Sequence, residues 1–230
     1  MQNTVNIIFE NENFIVCDKP ANVLSTPDRH KSDRGCLGLD LQKKLNLQIY
    51  PVHRLDFEVS GLIMYAKNKK SHQISQDWFL NKTITKKYRA LTLMQNFSHW
   101  PEQVKTEREL ITPAVAQNFF WKTQIQRGKR RSFESIHGDW AETRAEVSAV
   151  IGGIIHWDLY PLTGKPHQLR LELSRRGFPI LGDQLYGSGV QLVPEIWKFG
   201  PVALRAVEID LTNIEDRMGL PEKITVKNPE

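Results

Sequence analysis

The sequence predicts an α+β fold in which one domain, residues 1–230, is built on a mixed, largely antiparallel β-sheet with flanking helices and loops. Short strand patterns alternate with two good helix patterns, which is typical of a sheet with helices packed against it. The hydrophobic content of 40% and the charged content of 25% are those of an ordinary globular protein. Finally, no repeat or low-complexity tract interrupts the chain. Together these observations indicate a single folded core.

The first predicted strands begin almost at the first residue. Residues 6–10 and 14–20 form two strand patterns around an Asn-Glu-Asn turn, and Pro20 ends the second because proline cannot donate to a strand ladder. Residues 61–66 predict a buried strand. We therefore expect no separate amino-terminal domain before the first strand.

Helices and strands follow in alternation. The spacing of Ile74, Trp78 and Phe79 predicts a helix over 70–81, and residues 87–93 alternate as a strand does. Two further strand patterns, 145–151 and 154–159, flank a Gly-Gly pair that suits a tight hairpin turn.

The carboxyl-terminal part predicts one short helix and one last strand. The helix covers 167–176, and Gly177 is placed to end it. Residues 202–209 form the strand pattern. The order of the strands in the sheet does not follow from these patterns.

A polar stretch, residues 95–140, has no regular period and is too long for a simple loop, so we expect a hairpin or an excursion on the surface. It contains a basic run without acids, formed by Lys122, Arg127, Lys129, Arg130 and Arg131, beside Phe119, Phe120, Trp121 and Phe133. Cations that pair with phosphates, next to aromatic faces, indicate nucleic-acid binding. A solvated basic loop explains the run equally well.

Composition narrows the classes of function. The net charge of +5 makes an acidic partner plausible. The two cysteines, Cys17 and Cys36, match neither a zinc site nor a disulfide framework, so we expect no metal and no metal-dependent chemistry. The amino terminus does not look like a signal peptide, and the longest nearly apolar run, 149–155, is too short to cross a membrane. We expect a cytoplasmic protein without membrane contact.

Three separate segments carry the candidate chemistry. Asp56 lies where a loop enters a buried strand, so it is available as a base, a nucleophile or an ion-pair partner, and a structural salt bridge is the better explanation from spacing alone. His167 and Arg170 share one face at a helix start, which an ordinary helix cap explains equally well. Tyr88 lies on a strand, where a tyrosine more often fills the core than takes part in catalysis.

Taken together, these segments resemble the RluA family of pseudouridine synthases in order, spacing and several successive residues. The family pattern is His-Arg-Leu-Asp, two residues, Thr-Ser-Gly; then Lys-x-Tyr-x-Ala; then Thr-Gly-Arg-Thr-His-Gln-Ile-Arg and Gly-His-Pro-Ile-Leu-Gly-Asp-x-x-Tyr-Gly. Matching residues here are His53 to Asp56, Ser60-Gly61, Lys86, Tyr88, Ala90, Gly164, His167-Gln168, Arg170, Pro179 to Asp183 and Tyr186-Gly187. Asp18 to Ala21 and Leu204 to Ala206 resemble the opening and late motifs of the family, so the resemblance covers roughly residues 9–209.

The resemblance implies an RNA pseudouridine synthase that works without a cofactor. Asp56 would be the nucleophile, Arg170 its ion-pair partner and Tyr88 the ring that stacks on the flipped uracil and handles a proton. Arg54 would fill the gap left by the flipped base. Whether Asp56 attacks the base or the sugar stays open.

Binding of the substrate RNA is expected from further residues and needs no separate amino-terminal RNA-binding domain. Those expected to bind it are His53, Lys165, His167, Gln168, Arg127, Lys129, Arg130 and Arg131. The expected partner is structured RNA, either tRNA or ribosomal RNA, and the expected state is a monomer.

Several residues depart from the family pattern and put the choice of target RNA in doubt more than the activity. The departures are Val59 for Thr, Lys165-Pro166 for Arg-Thr, Leu169 for Ile, Phe178 for His, Asn22 for Gly and Arg205 for His.

Two rival functions remain at this stage. One is an RNA-binding module without catalysis, and the other is a hydrolase, which would need a second carboxylate or base beside Asp56.

Overall fold

A computed structural model describes residues 5–28, 33–98, 109–193 and 195–226. The chain divides into two compact units. The first unit comprises Met1–Lys87 and Arg205–Glu230, and the second comprises Tyr88–Leu204.

The first unit contains strands in the order β1-β2-β4-β10, with β3 paired to β4 and β11 paired to β10. Only β4 and β10 run parallel among these pairs. The bounds are β1 Asn6–Glu10, β2 Phe14–Lys19, β3 Tyr50–Pro51, β4 Ser60–Ala66, β10 Leu204–Asp210 and β11 Lys223–Thr225. Every residue of β4 is buried, as its unbroken apolar sequence predicts.

Two helices belong to the first unit. Helix α2, Lys69–Leu80, begins after Asn68, whose side chain accepts a hydrogen bond from the Ser71 N–H, and it confirms the predicted helix within one residue at each end. Helix α1, Leu37–Leu45, was not predicted. It has no side-chain cap at its start, and it ends at Asn46 in the left-handed conformation.

The second unit is an antiparallel sheet in the order β5-β9-β8-β6-β7. Its strands are β5 Thr85–Thr92, β6 Asn118–Arg127, β7 Ser132–Glu134, β8 Asp139–Ile151 and β9 Ile154–Pro161. Gly152 and Gly153 have φ of 57° and 80°, so the predicted tight turn between β8 and β9 is confirmed. Residues 99–108 of the predicted excursion lie outside the described residues, and from Asn118 onward the stretch joins the sheet.

Helix α3, Gln168–Arg175, packs against β6, β7 and β9. It ends at Arg175, one residue before the predicted end, and the predicted terminating residue Gly177 follows with a φ of 80°. The N–H of Phe178 donates to Leu173 and that of Gly177 donates to Ser174, which satisfies two carbonyls of the last turn. A 3-10 helix, Gln184–Tyr186, follows. The predicted α+β class on a mixed, mostly antiparallel sheet is therefore confirmed, with three α-helices among the described residues.

Gly61 generates a prediction about stability. Its φ is 112°, and a Cβ placed there would overlap the Ala206 carbonyl oxygen and lie 2.6 Å from the Ala206 nitrogen, because β10 approaches β4 closely. Gly61→Ala should lower the free energy of unfolding by about 2 to 4 kcal/mol through backbone strain and overpacking. In thermal unfolding this corresponds to a loss of roughly 4 to 16 °C for a chain of this size.

Gly35→Ala is the matched control in the same unit. No described heavy atom lies within 4 Å of a Cβ at Gly35 outside its immediate neighbours, so its melting temperature should stay close to that of the unmodified protein. Equal melting temperatures for the two variants would contradict the close approach of β10 to Gly61.

Candidate active site

Asp56 lies in the loop of residues 52–59 that leads into β4, which we call the Asp56 loop. Lys19 at the end of β2 has no exposed surface. Its ammonium donates to the backbone carbonyls of Pro20 at 2.9 Å, Val23 at 2.8 Å and Phe57 at 3.4 Å. Burial lowers the Lys19 pKa to about 8, while the charges of Asp56 and Glu58 act to raise it. A buried cation therefore interacts electrostatically with the candidate nucleophile.

The backbone on both sides of Asp56 is held in place. The Ser25 hydroxyl donates to the Leu55 carbonyl at 2.9 Å and accepts from the Leu55 N–H at 3.0 Å. On the other side, the Asn22 N–H donates to the Phe57 carbonyl at 2.8 Å. Asn22 has a φ of 60°, and asparagine adopts this left-handed conformation more readily than most residues. This explains physically why asparagine is accepted where the family usually has glycine.

His53 and Arg54 have different surroundings in the Asp56 loop. Arg54 is exposed. The His53 Nε2 atom accepts from the Met64 N–H at 3.2 Å, and the ring packs on Phe79 with centroids 5.7 Å apart. Burial, followed by the charge of Lys86, lowers the His53 pKa to about 3. His53 is therefore neutral at physiological pH and orients the loop.

Arg205, the departure from the family's histidine, forms a buried ion pair in the first unit. Its Nη2 atom lies 2.7 Å from the Asp18 Oδ2 atom. Asp18 immediately precedes Lys19, and Arg205 lies opposite Ser60 where β10 pairs with β4. The pair links the strands on either side of β4 near the base of the Asp56 loop.

In the second unit, Arg170 is fixed by residues that follow α3. Its Nε and Nη2 atoms donate to the two oxygens of Asp183 at 2.7 and 2.8 Å, and both side chains are at most 2% exposed. The guanidinium also lies over the Tyr186 ring, 5.3 Å from its centroid. The implied pairing of Arg170 with Asp56 stays a prediction. The contact with Asp183 was not predicted from the sequence.

The Tyr186 hydroxyl connects the start of α3 to β7. It accepts from the Ser132 N–H at 2.9 Å, donates to the Ser132 carbonyl at 3.1 Å and lies 3.1 Å from His167 Nδ1. His167 has a φ of 53°, an uncommon conformation for a residue other than glycine, and this contact helps to hold it there. Tyr186 thus supports Arg170 with its ring and His167 with its hydroxyl.

The side-chain amide of Gln168 forms all of its hydrogen bonds within the protein. Its Oε1 atom accepts from the Thr163 hydroxyl and the Lys165 N–H, and its Nε2 atom donates to the Glu142 carbonyl and the Thr143 hydroxyl. These four bonds use all the hydrogen-bonding capacity of the amide. Its observed role is to hold the loop before α3. In the same loop, Lys165 forms an ion pair with Asp139 at 2.8 Å near the surface.

Tyr88 lies on β5 and is 7% exposed. It is paired with Leu159 of β9, so the two side chains point to the same face of the sheet. Ala145 of β8 is also paired with Leu159, and Ala141 on that face packs with Leu171 of α3. Tyr88 therefore shares the face of the second unit that α3 covers.

The basic run lies on β6 and on the turn that follows it. We call residues 127–131 the basic turn. Arg127, Lys129 and Arg130 are exposed, and Arg131 donates to the Leu185 carbonyl at 3.2 Å. The neighbouring aromatic residues differ in their exposure. Phe120, Phe133 and Trp140 are exposed. Trp121 is buried beneath Arg176 and Trp157, so its ring offers no exposed face to RNA.

Comparison with known proteins assigns this arrangement to a family. A model of the family described as RNA pseudouridylate synthase matches residues 13–175, a range that contains Asp56, Tyr88 and Arg170. The chain belongs to this family. It is an RNA pseudouridine synthase, an isomerase, and the resemblance seen in the sequence is confirmed.

Several named proteins are similar in sequence to this pseudouridine synthase. The dual-specificity RNA pseudouridine synthase RluA of Vibrio vulnificus is 29% identical over 197 residues, which cover 80% of this chain and 69% of the relative. The corresponding Haemophilus influenzae protein is 26% identical, with 91% and 87% covered. Ribosomal large subunit pseudouridine synthase C of Rickettsia typhi is 32% identical, and there the match covers 79% of this chain but 56% of the relative.

Solved structures support the fold of this pseudouridine synthase. Human RNA Pseudouridylate Synthase Domain Containing 4 matches with a TM-score of 0.67 at 20% identity and covers 97% of this chain and 88% of its own. Human RNA Pseudouridylate Synthase Domain Containing 1 matches with a TM-score of 0.64, also at 20% identity, with 99% and 84% covered. Separately, none of the helices in the described part of the chain is long and apolar enough to span a membrane.

The ion pair of Arg170 and Asp183 leads to a second prediction. Asp183→Asn keeps the shape of the side chain but removes the charge that balances a buried guanidinium. The free energy of unfolding should fall by about 3 to 5 kcal/mol, because breaking a buried pair leaves a charge uncompensated. Urea unfolding measures the decrease.

Asp139→Asn is the control, because Asp139 forms its ion pair with Lys165 at the surface and is 76% exposed. Its effect should stay below about 1 kcal/mol. If Asp183→Asn were as mild as the control, the buried pair would not support the position of Arg170.

Proposed function

We propose that this enzyme isomerises specific uridines in structured RNA, either tRNA or ribosomal RNA, with Asp56 as its nucleophile. The observation that carries the proposal is the family match over residues 13–175, which includes all three motif segments. The relatives add support for the substrate, since one is known as a dual-specificity RNA enzyme and another as an enzyme of the large ribosomal subunit. We take the monomer as the working state, and the cytoplasm as the compartment because both cysteines are buried thiols.

The reaction rearranges one nucleotide without changing its composition. The bond from N1 of uracil to C1′ of ribose breaks, and a bond from C5 to C1′ forms. The proton on C5 is lost, and N1 gains one. A carboxylate starts this sequence either by adding to the base or by attacking the sugar carbon, and each route needs an ionised Asp56.

The surroundings of Asp56 suit this task. The buried Lys19 ammonium contributes positive potential at the Asp56 loop, where negative charge develops or is held during the reaction. Ser25 and Asn22 hold the neighbouring backbone, which limits the loss of orientation when the substrate binds. An aspartate that served only as a surface salt-bridge partner would not need a loop anchored on both sides.

We assign to Arg170 the role of ion-pair partner of Asp56. The support is the motif pattern together with the way Asp183 and Tyr186 fix the guanidinium. A guanidinium has five N–H donors, and Asp183 accepts from Nε and Nη2. At about 4 Å and an effective dielectric near 20, such a pair contributes roughly 4 kcal/mol of attraction.

We assign to Tyr88 the roles of stacking on the flipped uracil and of transferring a proton. We assign to Arg54 the role of filling the gap that the flipped base leaves in the RNA. A tyrosine ring offers a face for the base, and its hydroxyl is both donor and acceptor. Arg54 is exposed and two residues from Asp56, which suits a side chain that enters the RNA stack.

We assign binding of the RNA backbone to the basic turn. Lys165 and His167 would make further contacts with the RNA. All four cations of the turn are exposed, and no acidic residue lies between them in sequence. Gln168 and His53 act through the loops that they hold. The experiment that tests the whole proposal is pseudouridine mapping across total RNA from cells with and without the gene. An identical map would refute it.

The third prediction concerns Asp56. Asp56→Asn should give a folded protein that binds RNA and makes no pseudouridine, because an amide is a poor nucleophile of nearly the same shape. Tritium release from 5-tritiated uridine in the mapped RNA measures the activity. Residual release above about one part in a thousand, or roughly 4 kcal/mol of lost barrier stabilisation, would assign the nucleophile to another residue.

Glu58→Gln is the matched control, since this carboxylate lies in the same loop and its charge also acts to raise the Lys19 pKa. It should retain most of the activity. If both variants lost activity equally, the general acidity of the loop and not Asp56 would be responsible.

The fourth prediction concerns the basic turn. Replacement of Arg127, Lys129, Arg130 and Arg131 by glutamine should weaken RNA binding and flatten its salt dependence by about 0.7 to 0.9 in slope for each phosphate that the turn no longer neutralises. Turnover at saturating RNA should persist. The control is the exposed pair Lys43 and Lys44 on α1, whose replacement should leave the slope unchanged. Equal slopes for all proteins would show that the basic turn does not bind RNA.

A further inference from the structure

Lys86, in the segment that follows α2, matches the family pattern but has no role in the mechanism above. It lies near the start of β5, and its Nζ atom is 5.0 Å from the centroid of the Phe79 ring. The His53 ring packs on the same phenylalanine, and the charge of Lys86 helps to lower the His53 pKa. Lys86 is thus beside the residue that begins the His53 to Asp56 motif, within the first unit.

No acidic group compensates the charge of Lys86 in the described part of the chain. Its ammonium makes no hydrogen bond or ion pair there, and burial alone lowers its pKa to about 8. Other buried or half-buried lysines of the first unit differ. Lys19 donates to three carbonyls, and Lys67 donates to Glu10 and to the Asn11 carbonyl.

The groups around Lys86 do not supply an anion. His53 is neutral at physiological pH, and Phe79 offers only the face of its ring. The same elements also carry Arg54 on the loop, Asp77 near the end of α2 and Lys82 just after it, and Lys87 on β5. None of these four contributes to the pKa shift of Lys86. Lys86 is half-buried, and a partly desolvated ammonium that no described carboxylate balances is unfavourable, so an anion from outside the protein would stabilise it.

We propose that Lys86 binds a backbone phosphate of the RNA beside the uridine that Asp56 attacks. The inference rests on the proposed function, since it requires RNA in the Asp56 loop. RNA supplies one phosphate per nucleotide, and lysine binds phosphate as a compact point charge. Because Lys86 lies beside His53, at the start of the loop that carries Asp56, the phosphate belongs to the part of the RNA that enters this loop. Lys86 is thereby a binding residue that sets the register of the strand.

The test measures RNA binding by Lys86→Gln and Lys86→Arg in the Asp56→Asn background, where turnover does not interfere. The probe is a synthetic stem-loop that carries the mapped uridine. Lys86→Gln should weaken binding about 5-fold to 20-fold at low salt and reduce the salt slope by about 0.7 to 0.9, the value for one phosphate. Lys86→Arg should keep the slope. Lys69→Gln, an exposed lysine at the start of α2, should change neither.

Titration separates Lys86 from the other cations. Lys86 is protonated below its pKa of about 8 and loses its charge above it, so the dissociation constant should rise from pH 8 to pH 9. Lys19 also titrates near pH 8 in every variant, and His53 stays neutral throughout, so the size of the rise is compared between the proteins. Lys86→Arg should make the rise smaller than in the parent protein because arginine keeps its charge. A rise of the same size in both proteins would overturn the proposal.

Single methylphosphonate substitutions, which remove the charge of one phosphate, identify the phosphate that Lys86 binds. One position should weaken binding of the parent protein and have no effect on Lys86→Gln. Weaker binding by Lys86→Gln with an unchanged salt slope and no sensitive phosphate would overturn the proposal in favour of a contact to a base.

Two further measurements separate this inference from the proposed function and from a purely structural role. Tritium release by the unmodified enzyme tests the function independently of Lys86. If that enzyme is active and Lys86→Gln binds RNA as the parent does, the inference fails and the function stands. Removal of an uncompensated charge should not lower the melting temperature, so a less stable Lys86→Gln protein with unchanged binding would show that Lys86 is structural.

Discussion

A lysine side chain without exposed surface donates to three backbone carbonyls around the loop that carries Asp56. Lys19 stabilises this loop because its ammonium, once removed from water, is satisfied only if Pro20, Val23 and Phe57 stay where they are. The same charge interacts electrostatically with Asp56. One buried cation therefore couples the shape of the loop to its chemistry, and the ion pair of Asp18 with Arg205 secures the end of the strand that presents it.

The same constraint, that a buried cation needs polar or charged partners, holds for Arg170 in the second unit. A buried guanidinium needs a matched carboxylate, and Asp183 provides both oxygens in a planar, two-bond contact. Tyr186 then joins this pair to His167 and, through Ser132, to the strand after the basic turn. The motif around 178–187 is thus a support for α3. Among the residues that the structure describes, no carboxylate balances the charge of Lys86, which is the reason that we expect its counter-ion to come from RNA.

Local patterns in the sequence predicted most of the regular structure. The strands at 6–10 and 61–66 and the helix at 70–81 were predicted because one apolar period dominates each of them. Helix α1 escaped prediction because Leu37–Leu45 has no side-chain cap at its start. Strand β6 escaped because Thr123 is polar on its buried face and Phe120 is apolar on its exposed face, so the sequence shows no regular alternation.

The sequence by itself determined the fold class, the family and the chemistry expected of Asp56, Tyr88 and Arg170, because these depend on short runs of residues and on their order. Only the tertiary structure decided which partners hold those residues. Three of these contacts join residues that are far apart along the chain, namely Lys19 with Phe57, Asp18 with Arg205, and Tyr186 with Ser132. Such contacts depend on how strands pair and helices pack. A local pattern contains no information about such pairs, since burial and the nearest counter-charge are properties of the folded chain.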